Sequence, residues 1–174
     1  SKKIIVFVTP YSSLAMGTIE YKKIKKLKSV CEAVKNIENV HLIIKLHPFD
    51  DDWKIYENLC KESGLLNYSF LKDIEMLKLL KYCDLLITYH SVAGYEAVLM
   101  DKNVLWLRDS SDFRCDDAWD FKKYGCTVMV DNLLELEGWI NDALFNPNVL
   151  LMLKKNREAY RLAHVYGIDA KAAN

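Results

Sequence analysis

The stretch Asp84-Leu-Leu-Ile-Thr-Tyr-His-Ser91, followed at once by Val92-Ala-Gly-Tyr-Glu96-Ala-Val98, decides how this chain folds. A short apolar run ends in a polar tripeptide, and a segment of helical period then begins on a hydroxyl residue. That is the pattern of a buried strand running into a helix N-terminus. Such a junction leaves several backbone N–H groups without partners and adds the positive end of the helix dipole, so it suits a phosphate. A second polar strand end, Lys45-Leu-His47-Pro48, offers it a companion.

Apolar runs alternate with helix-period segments on both sides of this junction. Strands are expected over Ile4–Val8, His41–Leu46, Asn67–Leu71, Leu85–Tyr89, Val104–Leu107 and Cys126–Val130. Helices are expected over Thr18–Asn36, Asp52–Ser63, Asp73–Tyr82, Ser91–Met100, Leu133–Phe145 and Val149–Val165, the last two separated by Pro147. In the first helix Ile24, Leu27, Cys31 and Val34 share a face. Strands that are apolar throughout and joined by helices imply a parallel sheet covered on both faces. Strict alternation gives right-handed crossovers. The expected fold class is therefore α/β, a Rossmann-like doubly wound parallel sheet of about six strands in three αβα layers. The longest irregular segment, Arg108–Gly125, is where a functional loop is expected.

A chain of 174 residues suits one domain, taken here as 1–174. Lys+Arg and Asp+Glu number 24 each, and this neutral balance argues against a dedicated nucleic-acid binder. Cys31, Cys60, Cys83, Cys115 and Cys126 are dispersed and lack C-x-x-C spacing. They read as reduced, buried thiols of a cytoplasmic protein, and neither they nor the four scattered histidines form a metal-ligand pattern. No apolar run approaches the roughly 20 residues of a membrane span. The first strand begins almost at Ser1 with no signal-peptide pattern, an abrupt start that suggests an excised domain or a tag remnant.

Ligands of such sheets bind outside the carboxyl ends of the strands. Those ends are Thr9-Pro-Tyr-Ser12-Ser13, His47-Pro48, Ser69-Phe70-Leu71, Tyr89-His90-Ser91, Arg108-Asp109-Ser-Ser111 and Asp131, the last a candidate N-cap. The clustering of polar residues on this rim carries more weight than any one of them. Ser91 reads either as an ordinary N-cap or as a phosphate ligand acting with the following N–H groups. Gly94, one turn in, permits close approach of a ligand or of a neighbouring strand. Glu96 reads as a surface glutamate or, given its apolar flanks Ala93, Ala97 and Val98, as a hydrogen-bond acceptor for ribose hydroxyls. His47, fixed by Pro48, can donate to a phosphate and adds charge when protonated; the alternative is a strand-end histidine bonded to a carbonyl. His90 is a lesser candidate of the same kind, while His41 and His164 read as structural.

The lysines at 22, 23, 25, 26 and 28 read as the solvated face of the first helix, with weak contact to an anionic membrane surface as the alternative. Asp50, Asp51 and Asp52 precede a helix and are explained by capping of its N-terminus rather than by a metal, since their spacing does not fit a calcium loop. The absence of a P-loop and of G-x-G-x-x-G removes the main support for ATPase and standard dinucleotide readings.

The strand ending Lys45-Leu-His47-Pro48, the segment from Asp84 to Ser91 with Glu96-Ala97, and Lys102-Asn-Val-Leu-Trp-Leu107 together resemble the carboxyl-terminal half of GT-B glycosyltransferases. The resemblance covers most of the chain. It points to the branch of CDP-glycerol glycerophosphotransferases and capsule polysaccharide transferases, whose terminal Asp-Gly-Lys-Ala segment is similar to Tyr166-Gly-Ile-Asp-Ala-Lys-Ala172. It implies that the chain binds a nucleotide-linked donor of CMP, CDP or UDP type, with no separate cofactor. His47, the candidate catalytic residue, and Ser91 would meet the donor phosphates, with His90, Thr9, Ser12 and Ser13 beside them. Glu96 would hold the ribose, with Phe70 and Leu71 on the nucleotide. Arg108 and Asp109 resemble the arginine loop of UDP-N-acetylglucosamine 2-epimerases, which share the architecture. The acceptor-binding half and the usual general base would lie outside these residues. The site is expected in the cytoplasm, or peripherally at the inner face of the membrane. Three features depart from the family: there is no E-x7-E pattern, Ser91 stands where a serine pair is common, and no arginine follows the first strand. A non-catalytic Rossmann-like interaction module remains the reading from a different class.

Overall fold

Six apolar runs become six parallel strands: β1 Lys3–Val8, β2 Val40–Lys45, β3 Tyr68–Leu71, β4 Leu85–Thr88, β5 Asn103–Leu107 and β6 Val128–Val130. In the computed structural model of the chain, residues 2–9, 17–50, 53–89, 91–108 and 120–165 are described, with the backbone alone for 17–22. The sheet order is β3-β2-β1-β4-β5-β6. Ile5, Val6 and Phe7 of β1 and Leu85, Leu86 and Ile87 of β4 are all fully buried. Consecutive buried residues require cover on both faces, as the sequence predicts for a parallel sheet.

The helices are α1 Gly17–Val34, α2 Trp53–Glu62, α3 Met76–Tyr82, α4 Val92–Leu99, α5 Phe121–Tyr124, α6 Leu136–Phe145 and α7 Pro147–His164. On one face Leu27, Cys31 and Val34 of α1, Tyr56 and Cys60 of α2, and Ile140 of α6 pack with Ile5, Phe7, Leu42, Ile44 and Ile87. On the other, Leu79 and Leu80 of α3 and Ala97 and Val98 of α4 pack with Val6, Leu86, Val104 and Trp106. The closing α7 reaches both layers, through Leu153 and Tyr160 respectively. This is the α/β Rossmann-like fold expected from the sequence.

Several local expectations change. The first helical lysines are not all solvated: Lys23 is 0% exposed and Lys26 3% exposed, because both lie on the face of α1 that also carries Leu27 and Val30. Lys25 and Lys28 remain on the surface, so the basic face available to a membrane is smaller than the run suggests. A 3-10 turn, Leu133–Glu135, precedes α6, and its N-cap is Asn132, which accepts from Leu134 N, rather than Asp131. Pro147 opens α7 behind the N-cap Asn146, a place where a proline's missing N–H costs nothing. Among the described residues Cys31, Cys60, Cys83 and Cys126 are buried free thiols, and burial pushes Cys83 and Cys126 up to about 12. Cys115 lies outside the described residues. No described helix is long and apolar enough to cross a membrane.

Gly94 resolves in favour of the neighbouring strand. A Cβ there would stand 2.2 Å from Trp106 Cζ3 on β5 and 3.2 Å from Thr88 Cγ2 on β4. The missing side chain lets α4 press onto the sheet and so fixes where its N-terminus emerges. Gly94→Ala should force Trp106 out of its place. We expect a loss of about 1–3 kcal/mol, the range for overpacking a core, in a denaturant titration with unchanged slope.

Candidate functional site

β1 lies between β2 and β4 in the sheet. From β1 the chain turns into α1 on one face, while α4 leaves β4 on the other. The carboxyl ends of these two strands therefore diverge, and a crevice opens at this reversal of strand order. A cavity of about 350 Å³ occupies it, within the usual size of small-ligand sites. Its walls come from the end of β1 (Val8, Thr9), the end of β2 (Lys45 to Pro48), the segment entering α3 (Ile74, Met76) and the start of α4 (Ser91 to Ala93, and Glu96). Thr9, His47, Ser91 and Glu96, four candidates drawn from three strand ends, share this one cavity.

Ser91 is the N-cap of α4, with extended backbone and its hydroxyl accepting from Ala93 N at 3.2 Å. As an acceptor it keeps its own hydrogen, which has no acceptor among the described residues. The capping and ligand-binding readings are thus compatible. Glu96 stands one turn further along; its carboxylate has no ion pair or hydrogen bond among the described residues.

His47 is held from below. Its backbone N–H donates to Thr9 Oγ1 at 3.0 Å and to Asp50 Oδ2 at 3.3 Å. Its Nδ1 accepts from Phe49 N at 3.3 Å, which leaves the proton of the neutral ring on Nε2. Burial first, then the charges of Lys45 and Lys23, push the imidazole below its ordinary pKa of 6.5 against the opposing pull of Asp50. The ring is therefore neutral near neutral pH.

Asp50 is a junction rather than a helix-capping residue. Its carboxylate accepts from Thr9 Oγ1 at 2.8 Å, Lys23 Nζ at 2.6 Å and Tyr56 OH at 3.5 Å, as well as from His47. One acid thereby ties the end of β1, the β2–α2 loop, α1 and α2 together. Asp51 and Asp52 lie outside the described residues. Lys23 Nζ also sits 4.8 Å from the centre of the Tyr56 ring, and Lys26 Nζ 4.2 Å from that of Tyr89.

Other candidates lie apart from the cavity. Phe70 and Leu71 sit on the edge strand β3, where Phe70 packs on Trp53 and Tyr68 with ring centroids 6.1 and 5.7 Å away. Leu71 O accepts from Leu46 N at 2.8 Å. Arg108 closes β5 and gives its Nε to Asp131 at 2.6 Å, outside the cavity lining. Ser12, Ser13, His90 and Asp109 fall outside the described residues. Among the described residues no group of His, Cys, Asp and Glu is arranged to hold a metal. The sequence alone assigns no site role to Lys45, Lys23 or Asp50. The available signal was a lysine in an otherwise apolar buried strand, which must find partners.

Residues 20–110 match the sequence profile of the capsule polysaccharide biosynthesis protein family. The chain belongs to that family. The matched span runs from within α1 to just past β5 and contains His47, Ser91 and Glu96. No curated protein sequence matches significantly. Among solved structures, WaaG, a glycosyltransferase involved in lipopolysaccharide biosynthesis, superposes with a TM-score of 0.62 at 18% identity, over 91% of this chain and 42% of that one. The catalytic domain of cholesterol-alpha-glucosyltransferase from Helicobacter pylori gives 0.61 at 18% identity, over 91% and 97%. A UDP-N-acetylglucosamine 2-epimerase gives 0.64 at 16% identity, over 99% and 46%. The fold is thus the Rossmann-like fold of GT-B glycosyltransferases, which the epimerase shares. The chain spans less than half the length of two of these three structures.

The Lys23–Asp50 pair is buried, with side-chain exposures of 0% and 11%. Lys23→Met should leave the carboxylate undercompensated. We expect a loss of about 3–5 kcal/mol by chemical denaturation, and a clearly smaller one in the double variant with Asp50→Asn.

Proposed function

We propose that this chain is the donor-binding domain of a glycosyl- or glycerophosphotransferase in cell-surface polysaccharide or teichoic-acid-like polymer synthesis. The observation that carries the reading is the meeting of Thr9, His47, Ser91 and Glu96 in one cavity at the reversal of strand order. The amide groups and dipole at the start of α4, with the Ser91 hydroxyl, favour the donor diphosphate. His47 Nε2 donates to a phosphate oxygen. Glu96 accepts from the ribose hydroxyl pair. When the bond to the transferred group breaks, negative charge grows on the departing nucleotide phosphate, and these fixed donors stabilise it without reorganising. A cytidine or uridine diphosphate is the donor class, no cofactor is needed, and an acceptor-binding half supplies the general base.

The epimerase-like fold, with its serine-to-glutamate helix start, supports a second reading. Turnover of UDP-N-acetylglucosamine without an acceptor would favour it. An interaction module would bind no nucleotide at all.

A thermal-shift screen with CMP, CDP, UDP, UDP-N-acetylglucosamine, CDP-glycerol and GDP identifies the donor class. With the best of these, Ser91→Ala and His47→Ala should each weaken calorimetric affinity about tenfold, as for one hydrogen bond to a charged group. Unchanged affinities in both remove the assignment.

The pH dependence follows from the lowered pKa of His47. A bound diphosphate stabilises the imidazolium, so binding takes up a proton and affinity rises as pH falls from the neutral range into the acidic. A diphosphate diester such as CDP-glycerol serves here because, unlike a phosphate monoester with a second pKa of about 6, it does not titrate in the same window. His47→Ala should flatten the profile.

Glu96→Gln separates two parts of the ligand. It should raise affinity for inorganic pyrophosphate, by removing a like charge, and lower affinity for the nucleotide, by weakening the acceptor for ribose.

A further inference from the structure

Lys45 is the last residue of the buried strand β2, a place otherwise held by apolar residues, yet it is a lysine. It is 7% exposed and lines the cavity. On β2 its side chain shares a face with Ile43, which packs in the layer under α3 and α4, and so projects to the side where the cavity lies. Its ammonium donates to Leu46 O at 2.8 Å and to Lys72 O at 2.6 Å. An ammonium has three donors, and these bonds use two. Among the described residues it has no ion pair, although the nearby Asp73 opposes the downward push of burial on its pKa. Glu96 lines the same cavity and does not pair with it. A buried ammonium held by neutral carbonyls and no ion pair is expensive, so its remaining N–H suits an anionic partner.

We propose that Lys45 is the resident cation of the cavity and that its third N–H is donated to a diphosphate oxygen of the ligand. The proposal deepens the donor-binding reading and rests on its placing a phosphate in this cavity. It adds a binding residue on β2 to the donors of α4 and His47. The two carbonyl bonds hold the side chain before the ligand arrives, so little rotamer entropy is lost on binding.

The test uses the 174-residue chain and four probes: inorganic pyrophosphate, CDP, UDP and uridine. Lys45→Gln keeps N–H donors for the two carbonyls but no charge; Lys45→Met removes both. In folded protein each should weaken pyrophosphate and the preferred nucleoside diphosphate about tenfold, the size of a charge-assisted hydrogen bond, and leave uridine unaffected. The decline of affinity with salt should be shallower in both variants. If Lys45 acts only by tying down the Lys72 carbonyl, Lys45→Gln behaves as wild type, or uridine and the diphosphates weaken alike, and the proposal is overturned. Failure of both variants to fold assigns Lys45 to structure and overturns it as well. Normal anion binding by the variants, together with loss in Ser91→Ala, sinks Lys45 but spares the donor-binding reading. Binding of pyrophosphate without any nucleotide sinks that reading while Lys45 is still judged by its variants. No binding of pyrophosphate, CDP or UDP by wild type sinks both.

Discussion

The reversal of strand order between β1 and β4 is the constraint on which the rest of the molecule depends. β2 and β3 are laid down on one side of β1, and the chain then recrosses to start β4 on the other side. Right-handed crossovers put α1 and α2 on one face and α3 and α4 on the other. At the carboxyl ends, α1 and α4 therefore pull away from each other, and neither covers the gap above β1 and β4. A gap in a fully apolar sheet would be filled or would collapse. Here it is lined in part by polar groups: a threonine already bonded to Asp50, a histidine, a lysine, a serine and a glutamate. The missing side chain of Gly94 permits α4 to sit this close to Trp106 and Thr88. A site built from a helix N-terminus inherits that placement.

The Asp50 carboxylate makes the other wall rigid. Burying an ion pair costs desolvation, and such a pair is worth keeping only when every lone pair and proton has a partner. Asp50 meets that demand with Thr9, Lys23, Tyr56 and the His47 amide. The consequence is mechanical. The His47-Pro48 turn is pinned to the end of β1 by side chains from α1 and α2, so the imidazole is oriented before any ligand binds. Lys26 over Tyr89 extends the same arrangement towards β4. The lysines of α1 thus bind the walls of the cavity together from the far side of the sheet.

Much of the architecture was legible because parallel strands announce themselves as unbroken apolar runs, and Leu85 to Ile87 or Ile4 to Val8 admit no other reading. The site was partly legible for a related reason: polar residues at strand ends have few structural duties, so His47 and Ser91 stand out. What was hidden depends on contacts between distant segments. Lys23 and Asp50 are 27 residues apart, and each alone looks like surface charge. Read by position, Lys23 lies four residues before Leu27 and Lys26 four before Val30, so the helical period places both on the core face. Hydrophobicity conceals what spacing reveals. Arg108 finds Asp131 only because β5 and β6 are neighbours, and strand order is not written in any local pattern. Phe70 and Leu71 sit at a strand end like the others, but β3 is the sheet edge, two strands from the crevice.

The cavity carries charge of both signs in a chain whose Lys+Arg and Asp+Glu totals are equal. That balance gives no long-range steering by net charge, so on the donor-binding reading any discrimination rests on the cavity's own groups. Lys45 and the amide end of α4 attract an anion, while the Glu96 carboxylate one turn up the helix repels it. A small free anion feels both. A ligand that is anionic at one end and rich in vicinal hydroxyls at the other satisfies both, provided it lies with its phosphates toward β2 and the first turn of α4. Lys45 and Glu96 line the same cavity from different elements without forming an ion pair with each other. The separation is intelligible if the two charges are meant for one ligand rather than for each other.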